Sequence, residues 1–172
     1  MKALLIVDMI HEFVDGKFGS EGAKAIISTI KSLAEKFRKN GIVVYLCDSH
    51  EAGDPELEIW GEHAMKDTWG AEIVDELKPE KRDIVVKKKT YDGFLFTNLE
   101  GILKSKNVDT VYICGVATDI CVKHTAFGAF ARGFKVNIIK DACSGTSEEA
   151  NNRALEYMKK IYGANIVESD DL

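Results

Sequence analysis

The segment TVYICGVATDICVKHTAFGAFARGFKVNII, residues 110–139, contains a complete strand–helix–strand unit and indicates the fold class. Its ends, residues 110–114 and 135–139, are short apolar runs rich in Val and Ile. Such runs are typical of strands that are buried on both faces of a parallel sheet. The intervening pattern predicts a helix from Thr118, its N-cap, to Arg132, just before a glycine. Two parallel strands joined by a helix make a right-handed crossover.

The same alternation of strand and helix continues on both sides of this unit. The other predicted strands are residues 3–7, 42–47, 84–86 and 165–167. The other predicted helices are residues 23–37 with Ser20 as cap, residues 98–106, and residues 148–162 with Thr146 and Glu149 as a capping box. This order predicts an α/β fold, a three-layer α/β/α sandwich with a mainly parallel, Rossmann-like sheet of five or six strands. The length predicts a single domain, residues 1–172.

The composition excludes several classes of function. There are 23 Lys and Arg against 28 Asp and Glu, so the net charge is −5 and there is no basic field to attract nucleic acid. No apolar run approaches the roughly 20 residues that span a bilayer. No small-residue cleavage site follows the first apolar run, and the four cysteines lack CxxC spacing. We therefore predict a cytoplasmic protein that binds neither nucleic acid nor membrane and has no disulfides.

Polar and nucleophilic side chains follow the carboxyl end of each predicted strand. In strand order they are Asp8; Asp48 and His50; Lys87, Lys88 and Lys89; Cys121; and Asp141. Sites in open parallel sheets gather at this edge. We therefore expect carboxylates, an amine, an imidazole and a thiol to converge there.

Cys121 is the candidate nucleophile of this set. It falls in the first turn predicted after Thr118, where free backbone N–H groups and the helix dipole lower a thiol pKa and can bind an oxyanion. Asp8 is a candidate to accept the thiol proton. The alternatives are a small core cysteine and a carboxylate that caps a loop. One of the three lysines is expected to turn inward as a fixed positive charge, but the spacing does not select it.

A candidate metal site follows the second strand. Asp48 and His50 lie on the same side of an extended segment, and His63 follows in a long irregular stretch, residues 49–70. Two imidazoles and one carboxylate form a facial set that suits Fe, Mn or Zn and leaves positions open for water and substrate. The alternative is an ordinary group of polar loop side chains.

Four segments together resemble one known family over nearly the whole chain. They are ALLIVDMIHEF (3–13), CDSHEAGDPELEIWGEH (47–63), VVKKKTYDGF (85–94) and ICGVATDICVKHTA (113–126). Their order and content resemble the isochorismatase-like cysteine hydrolase superfamily, in the branch of nicotinamidases and N-carbamoylsarcosine amidases. The last segment carries the most specific motif, G-[VI]-A-T-x-x-C-V.

The resemblance implies roles for particular residues. The catalytic triad would be Asp8, Lys88 and Cys121, with Lys88 selected because Tyr91 follows it by three residues. The amides of Ala117 and Cys121 would form the oxyanion hole, with a cis peptide bond preceding Ala117.

The resemblance also implies a substrate pocket and a metal. The pocket residues would be Phe13, Trp60, Tyr91 and Val116. The metal ligands would be Asp48, His50 and His63, and the metal a divalent ion, zinc first, with iron or manganese as alternatives. In nicotinamidases this metal binds the pyridine nitrogen of the substrate.

The implied activity is hydrolysis of a small carboxamide through a thioester, with release of ammonia. Nicotinamide is the first candidate substrate, and an N-carbamoyl compound such as N-carbamoylsarcosine is the second. Ile10 and Glu12 depart from the family pattern D-x-Q-x-D-F, which affects the pocket wall but not the triad. A binding module without turnover is the alternative outside the enzyme class, but no Gly-rich phosphate loop follows the first strand. The family also implies a homo-oligomer.

Overall fold

Six parallel strands form the sheet of the computed structural model, which describes all residues from Met1 to Leu172. The strands are β1 (Lys2–Val7), β2 (Gly41–Asp48), β3 (Ile84–Lys88), β4 (Thr110–Val116), β5 (Lys135–Ser144) and β6 (Asn165–Val167). Their order in the sheet is β3-β2-β1-β4-β5-β6, and every neighbouring pair is parallel. The predicted α/β class with a parallel sheet is confirmed.

Helices of varied length connect the strands. They are α1 (His11–Val14), α2 (Glu21–Ala25), α3 (Ile27–Asn40), α4 (Glu56–Trp60), α5 (Leu99–Ser105), α6 (Lys123–Ala131) and α7 (Glu148–Tyr162). Short 3₁₀ turns occur at Trp69–Ala71, Asp75–Leu77 and Ser169–Asp171. Helix α3 packs against β1 and β2, whereas α6 and α7 pack against each other and against β5. No helix combines the length and the apolar character that a membrane crossing needs.

Strand β1 lies at the centre of the sheet and of the core. Its residues Ala3–Val7 are completely buried, between β2 on one side and β4 on the other. Val7 pairs with Leu46 and with Gly115, so the end of β1 lies between the ends of its two neighbours. A Cβ at Gly115, whose φ is +113°, would lie 2.1 Å from the carbonyl oxygen of Val7. Only glycine allows this close approach near the end of β4, six residues before the candidate nucleophile Cys121.

Two predicted helices need correction, one in its continuity and one in its cap. Ser20 caps a helix as expected, since its hydroxyl accepts the N–H of Ala23 at 3.1 Å, but the helix is interrupted at Ile26. The cap of α7 is Ser147, whose hydroxyl accepts the N–H of Ala150 at 3.1 Å. The predicted cap was Thr146. Its hydroxyl instead donates to the carboxylate of Asp119, which lies between β4 and β5.

The predicted helix over residues 118–132 consists of two elements. Residues Thr118–Val122 form a π-helical turn, and α6 follows it. The carbonyl oxygen of Ala117 accepts the N–H of Val122, five residues on, at 3.1 Å, so the turn is wider than an α-helical one. Thr118 makes no capping hydrogen bond, and its buried hydroxyl has no partner. The prediction of Thr118 as N-cap was therefore wrong.

Asp141 also lies away from the expected edge. Strand β5 continues to Ser144, so Asp141 is inside the strand rather than after it. Its exposed carboxylate accepts the backbone N–H of Ser169 at 2.9 Å and also the Ser169 hydroxyl. Ser144 takes its place at the end of β5.

Candidate active site

Asp8 is the first residue after β1 and is completely buried. Its φ of +51° is a left-handed conformation, which aspartate tolerates better than most residues. One carboxylate oxygen accepts the backbone N–H of Asp48 at 2.9 Å. The other lies 2.8 Å from the ammonium nitrogen of Lys88. The ends of β2 and β3 therefore fix the orientation of the Asp8 carboxylate.

Lys88 is the one lysine of the three that turns inward. Side chains alternate along a strand, so the buried Lys88 lies on the opposite face of β3 from the exposed Lys87. Its ammonium donates to Asp48 Oδ1 at 2.5 Å and to the carbonyl oxygen of Thr90 at 3.1 Å. Lys89 is exposed and pairs with Glu51 on the surface.

The thiol of Cys121 completes a compact group with these two side chains. Its sulfur lies 3.7 Å from Lys88 Nζ and within 4.8 Å of a carboxylate oxygen of Asp8. Only 6% of the residue is exposed, but that surface faces a cavity rather than the packed core. The structure thus brings together Asp8, which follows β1, Lys88, the last residue of β3, and Cys121, which follows β4.

The surroundings of these groups determine their charge. Contrary to the expectation of a lowered value, burial raises the pKa of the Cys121 thiol well above its usual range, although the Lys88 ammonium opposes this shift. Burial and the neighbouring Asp48 carboxylate raise the pKa of Asp8 to about 6, with Lys88 again opposing. Burial alone would lower the pKa of Lys88, but Asp48 and Asp8 hold it well above its usual value. At neutral pH the group therefore holds a neutral thiol, a carboxylate and an ammonium.

A second cluster adjoins the first through Asp48. The ligand atoms of Asp48, His50, Glu56 and His63 lie within 4.8 Å of one another, and all four residues are buried. His50 Nε2 is 3.5 Å from Asp48 Oδ2 and 3.5 Å from Glu56 Oε2. His63 Nε2 is 3.9 Å from the same Glu56 oxygen. The three predicted metal ligands are thus close together, and Glu56 joins them.

The chemistry of this cluster fits a divalent metal. His50 Nε2 and Glu56 Oε1 are buried and have no hydrogen-bond partner. Burial and the Asp48 carboxylate raise the pKa of Glu56 to about 7, because loss of water and a neighbouring negative charge both disfavour the ionised form. The other ring nitrogens are held, His50 Nδ1 by Asp54 at 3.2 Å and His63 Nδ1 by the carbonyl oxygen of Gly61 at 2.8 Å. This leaves each Nε2 to bind an ion, as metal-binding histidines do.

Glu56 was missed in the sequence because its signal is not distinctive. It is the first residue of α4, six positions after His50. Glu51, Asp54, Glu58 and Glu62 lie in the same stretch, so spacing could not select one acid among five. Only the fold of residues 50–63 shows which carboxylate turns inward.

A cavity of about 450 Å³ opens above both clusters. Its wall includes the predicted pocket residues Phe13, Trp60, Tyr91 and Val116, together with Phe18, which the sequence did not reveal. Trp60 Nε1 donates to the Tyr91 hydroxyl at 2.9 Å, and the Phe18 ring meets the Trp60 ring edge-on at 6.2 Å. The aromatic groups therefore form a wall suited to a flat, mainly apolar ligand.

The end of β4 supplies the remaining predicted feature. The peptide bond between Val116 and Ala117 is cis, as the resemblance implies. Ala117 and Cys121, the predicted oxyanion hole, both border the cavity.

The family model for the isochorismatase domain matches residues 2–171. The chain belongs to the isochorismatase family. The predicted membership, and with it the prediction of a hydrolase of this family, is confirmed.

Solved structures of isochorismatase-family proteins have the same fold. The N-carbamoylsarcosine amidase of Thermoplasma acidophilum is 37% identical with a TM-score of 0.95, and the match covers 99% of this chain and 98% of that one. The nicotinamidase/pyrazinamidase PncA of Bacillus subtilis is 31% identical with a TM-score of 0.91, covering 97% and 99%. The pyrazinamidase of Pyrococcus horikoshii, solved in complex with zinc, is 33% identical with a TM-score of 0.89, covering 97% and 98%.

Proposed function

We propose that this isochorismatase-family protein is a cysteine amidohydrolase that cleaves the C–N bond of a small carboxamide, with nicotinamide as its best substrate. The observation that carries the proposal is the contact of the buried Lys88 with Asp8 and Cys121, which both border the cavity; the distance between Cys121 Sγ and Lys88 Nζ is 3.7 Å. The flat aromatic wall and the similarity to a nicotinamidase/pyrazinamidase support the choice of substrate.

The first half of the reaction forms a thioester. Asp8 accepts the thiol proton, and the Cys121 thiolate attacks the amide carbon while the carbonyl π electrons move to oxygen. The amides of Ala117 and Cys121 stabilise that oxyanion. The tetrahedral intermediate collapses, the C–N bond breaks, and Asp8 returns the proton to the departing ammonia.

The second half releases the acid. Asp8 accepts a proton from water as the water oxygen attacks the thioester carbon. The C–S bond then breaks, and the proton returns to the Cys121 sulfur. Lys88 remains charged throughout. It stabilises the negative charge whether Asp8 or Cys121 carries it. Each turnover converts one amide and one water into one acid and one ammonia.

A divalent metal, zinc in the first instance, is proposed at the second cluster. Asp48, His50, Glu56 and His63 would hold it, and when bound it would supply an open coordination position for a heteroatom of the substrate ring. Phe13 and Trp60 would flank that ring, so that the amide carbon is directed at Cys121.

A second substrate class is supported by a separate observation. Lys17 is the one cationic side chain at the cavity wall, and its ammonium donates to the carbonyl oxygen of Glu62 at 3.0 Å. A carboxylate at the far end of an N-carbamoyl amino acid would pair with it. The similarity to an N-carbamoylsarcosine amidase also supports this alternative. That reaction would convert one N-carbamoyl amino acid and one water into the free amino acid, ammonia and carbon dioxide.

Ammonia release from nicotinamide and from N-carbamoylsarcosine separates the two candidates. We expect kcat/KM to be higher for nicotinamide by about 10-fold or more, a difference that a few pocket contacts can supply. The Lys17→Met variant is expected to keep its activity on nicotinamide, because that substrate has no carboxylate. A preference for N-carbamoylsarcosine that disappears in Lys17→Met would replace the first candidate by the second. No turnover of either would contradict both.

Removal of the metal tests the second cluster. Dialysis against a chelator is expected to lower kcat/KM for nicotinamide by about 10-fold or more, because the substrate ring loses its anchor, and added zinc should restore it. Glu56→Gln should weaken zinc binding, whereas Glu58→Gln, on the exposed face of the same helix, should not. A fully active protein without metal by elemental analysis would contradict this assignment.

The cytoplasmic location and the homo-oligomeric state stay predictions. Light scattering on the purified chain measures the second directly.

A further inference from the structure

Ala64 connects the backbones of both histidines in the second cluster. It follows His63 directly in the chain, and its carbonyl oxygen accepts the backbone N–H of His50 at 3.0 Å. Ala64 is completely buried and has a φ of +42°, which is uncommon for a residue other than glycine. Such a conformation persists only where its surroundings hold it. The relative position of His50 and His63 therefore depends on what holds Ala64.

The group that holds Ala64 is the carboxylate of Glu12. Glu12 Oε2 accepts the Ala64 N–H at 2.7 Å, a short charge-assisted hydrogen bond between groups 52 residues apart. Glu12 lies in α1 and is nearly buried. Gly70 leaves room for it, because a Cβ there would lie 2.6 Å from Glu12 Oε2. Helix α1 is itself fixed, since the His11 N–H donates to the carbonyl oxygen of Glu72 at 2.9 Å.

We propose that Glu12 is a positioning residue for the metal site: through Ala64 it sets the distance between His50 and His63 and so determines metal affinity. The inference rests on the metal part of the proposed function. Glu12 does not itself belong to the cluster of ligand atoms formed by Asp48, His50, Glu56 and His63. Its role is to supply the hydrogen bond that keeps His50 and His63 in their relative positions.

The test compares two substitutions that differ in the acceptor. Glu12→Gln keeps an oxygen that can accept the Ala64 N–H, whereas Glu12→Met is similar in size and has none. We expect the zinc Kd, measured by competition with a chromophoric chelator, to rise about 10- to 100-fold in Glu12→Met and to stay close to wild type in Glu12→Gln. Glu62→Met is the control: it removes an exposed carboxylate next to His63 and should leave the zinc Kd unchanged.

A second variant disturbs Glu12 without removing it. Gly70→Ala places a methyl group against Glu12 Oε2 and is expected to raise the zinc Kd several-fold. Its effect should vanish in the Glu12→Met background, because the two changes act through one hydrogen bond. In the metal-free protein, amide hydrogen exchange of residues 63–66 should be faster in Glu12→Met than in wild type or Glu12→Gln.

The outcomes separate this inference from the function on which it rests. A Glu12→Met protein that is folded but binds zinc as tightly as wild type would overturn the inference alone. A lower thermal midpoint with unchanged zinc Kd would do the same, since it indicates a purely structural role. Failure of the wild-type protein to bind zinc would overturn the metal assignment and the inference together, while amidase activity would still test the triad.

Discussion

Replacing Cys121 by alanine is expected to lower kcat/KM for the best amide substrate by about 10⁴-fold or more, because the thioester route is lost entirely. The other parts of the site stay in place, since alanine fills nearly the same space and the Asp8–Lys88 ion pair does not depend on sulfur. Substrate binding, measured by calorimetry on the inactive variant, should therefore be almost unchanged. A loss of rate without a loss of binding is the signature of a nucleophile.

The chain offers a matched control for this experiment. Cys143 is buried to a similar degree, but its thiol contacts the carbonyl oxygen of Ile113 and does not border the cavity. Cys143→Ala should keep its activity. Iodoacetamide should label Cys121 first and abolish turnover, and the substrate should protect it. Substantial turnover by purified Cys121→Ala on both candidate substrates would remove the basis of the proposed mechanism.

The fold could be predicted because its signals are local. The apolar run of β1 is continuous, since both faces of a central parallel strand are buried, and the alternation with helices determines the topology. The capping errors have a different origin. Thr146 and Ser147 are both good cap residues, and the choice of Ser147 follows from a tertiary hydrogen bond between Thr146 and Asp119.

A site residue could be identified from the sequence only where a motif allows a single residue for the role. Cys121 lies in such a motif, but its π-helical turn depends on how Ala117 O is shared between Ile120 and Val122. Such turns occur often at functional sites and have no simple periodicity. Glu56 could not be found, because five acids in one irregular stretch are equivalent in sequence and only tertiary packing distinguishes them. Strand alternation would have placed Lys88 on the same face as the buried Val86, but the predicted strand ended at residue 86 and β3 continues to Lys88.

Lys88→Met should affect both stability and rate. The ammonium lies between Asp8 and Asp48, and all three side chains are essentially buried. Removing it leaves two carboxylates facing each other without a cation, which costs about 3–5 kcal/mol of the free energy of unfolding. Urea unfolding with a chelator present measures this cost without a contribution from metal. Turnover should fall about 10³-fold or more, because the thiolate and the oxyanion-forming step lose their nearest positive charge.

A second substitution distinguishes charge balance from catalysis. Asp48→Asn in the Lys88→Met background removes one of the two facing carboxylates and should recover part of the lost stability, because like-charge repulsion between buried groups is relieved. It should recover none of the activity, since the thiol still lacks its cation. Lys88→Arg is the conservative comparison: it keeps the charge, but its planar, larger head does not fit the space between the two carboxylates, so stability should return only in part. Equal stability of Lys88→Met and wild type would contradict this account, because two buried carboxylates without their cation would then carry no cost.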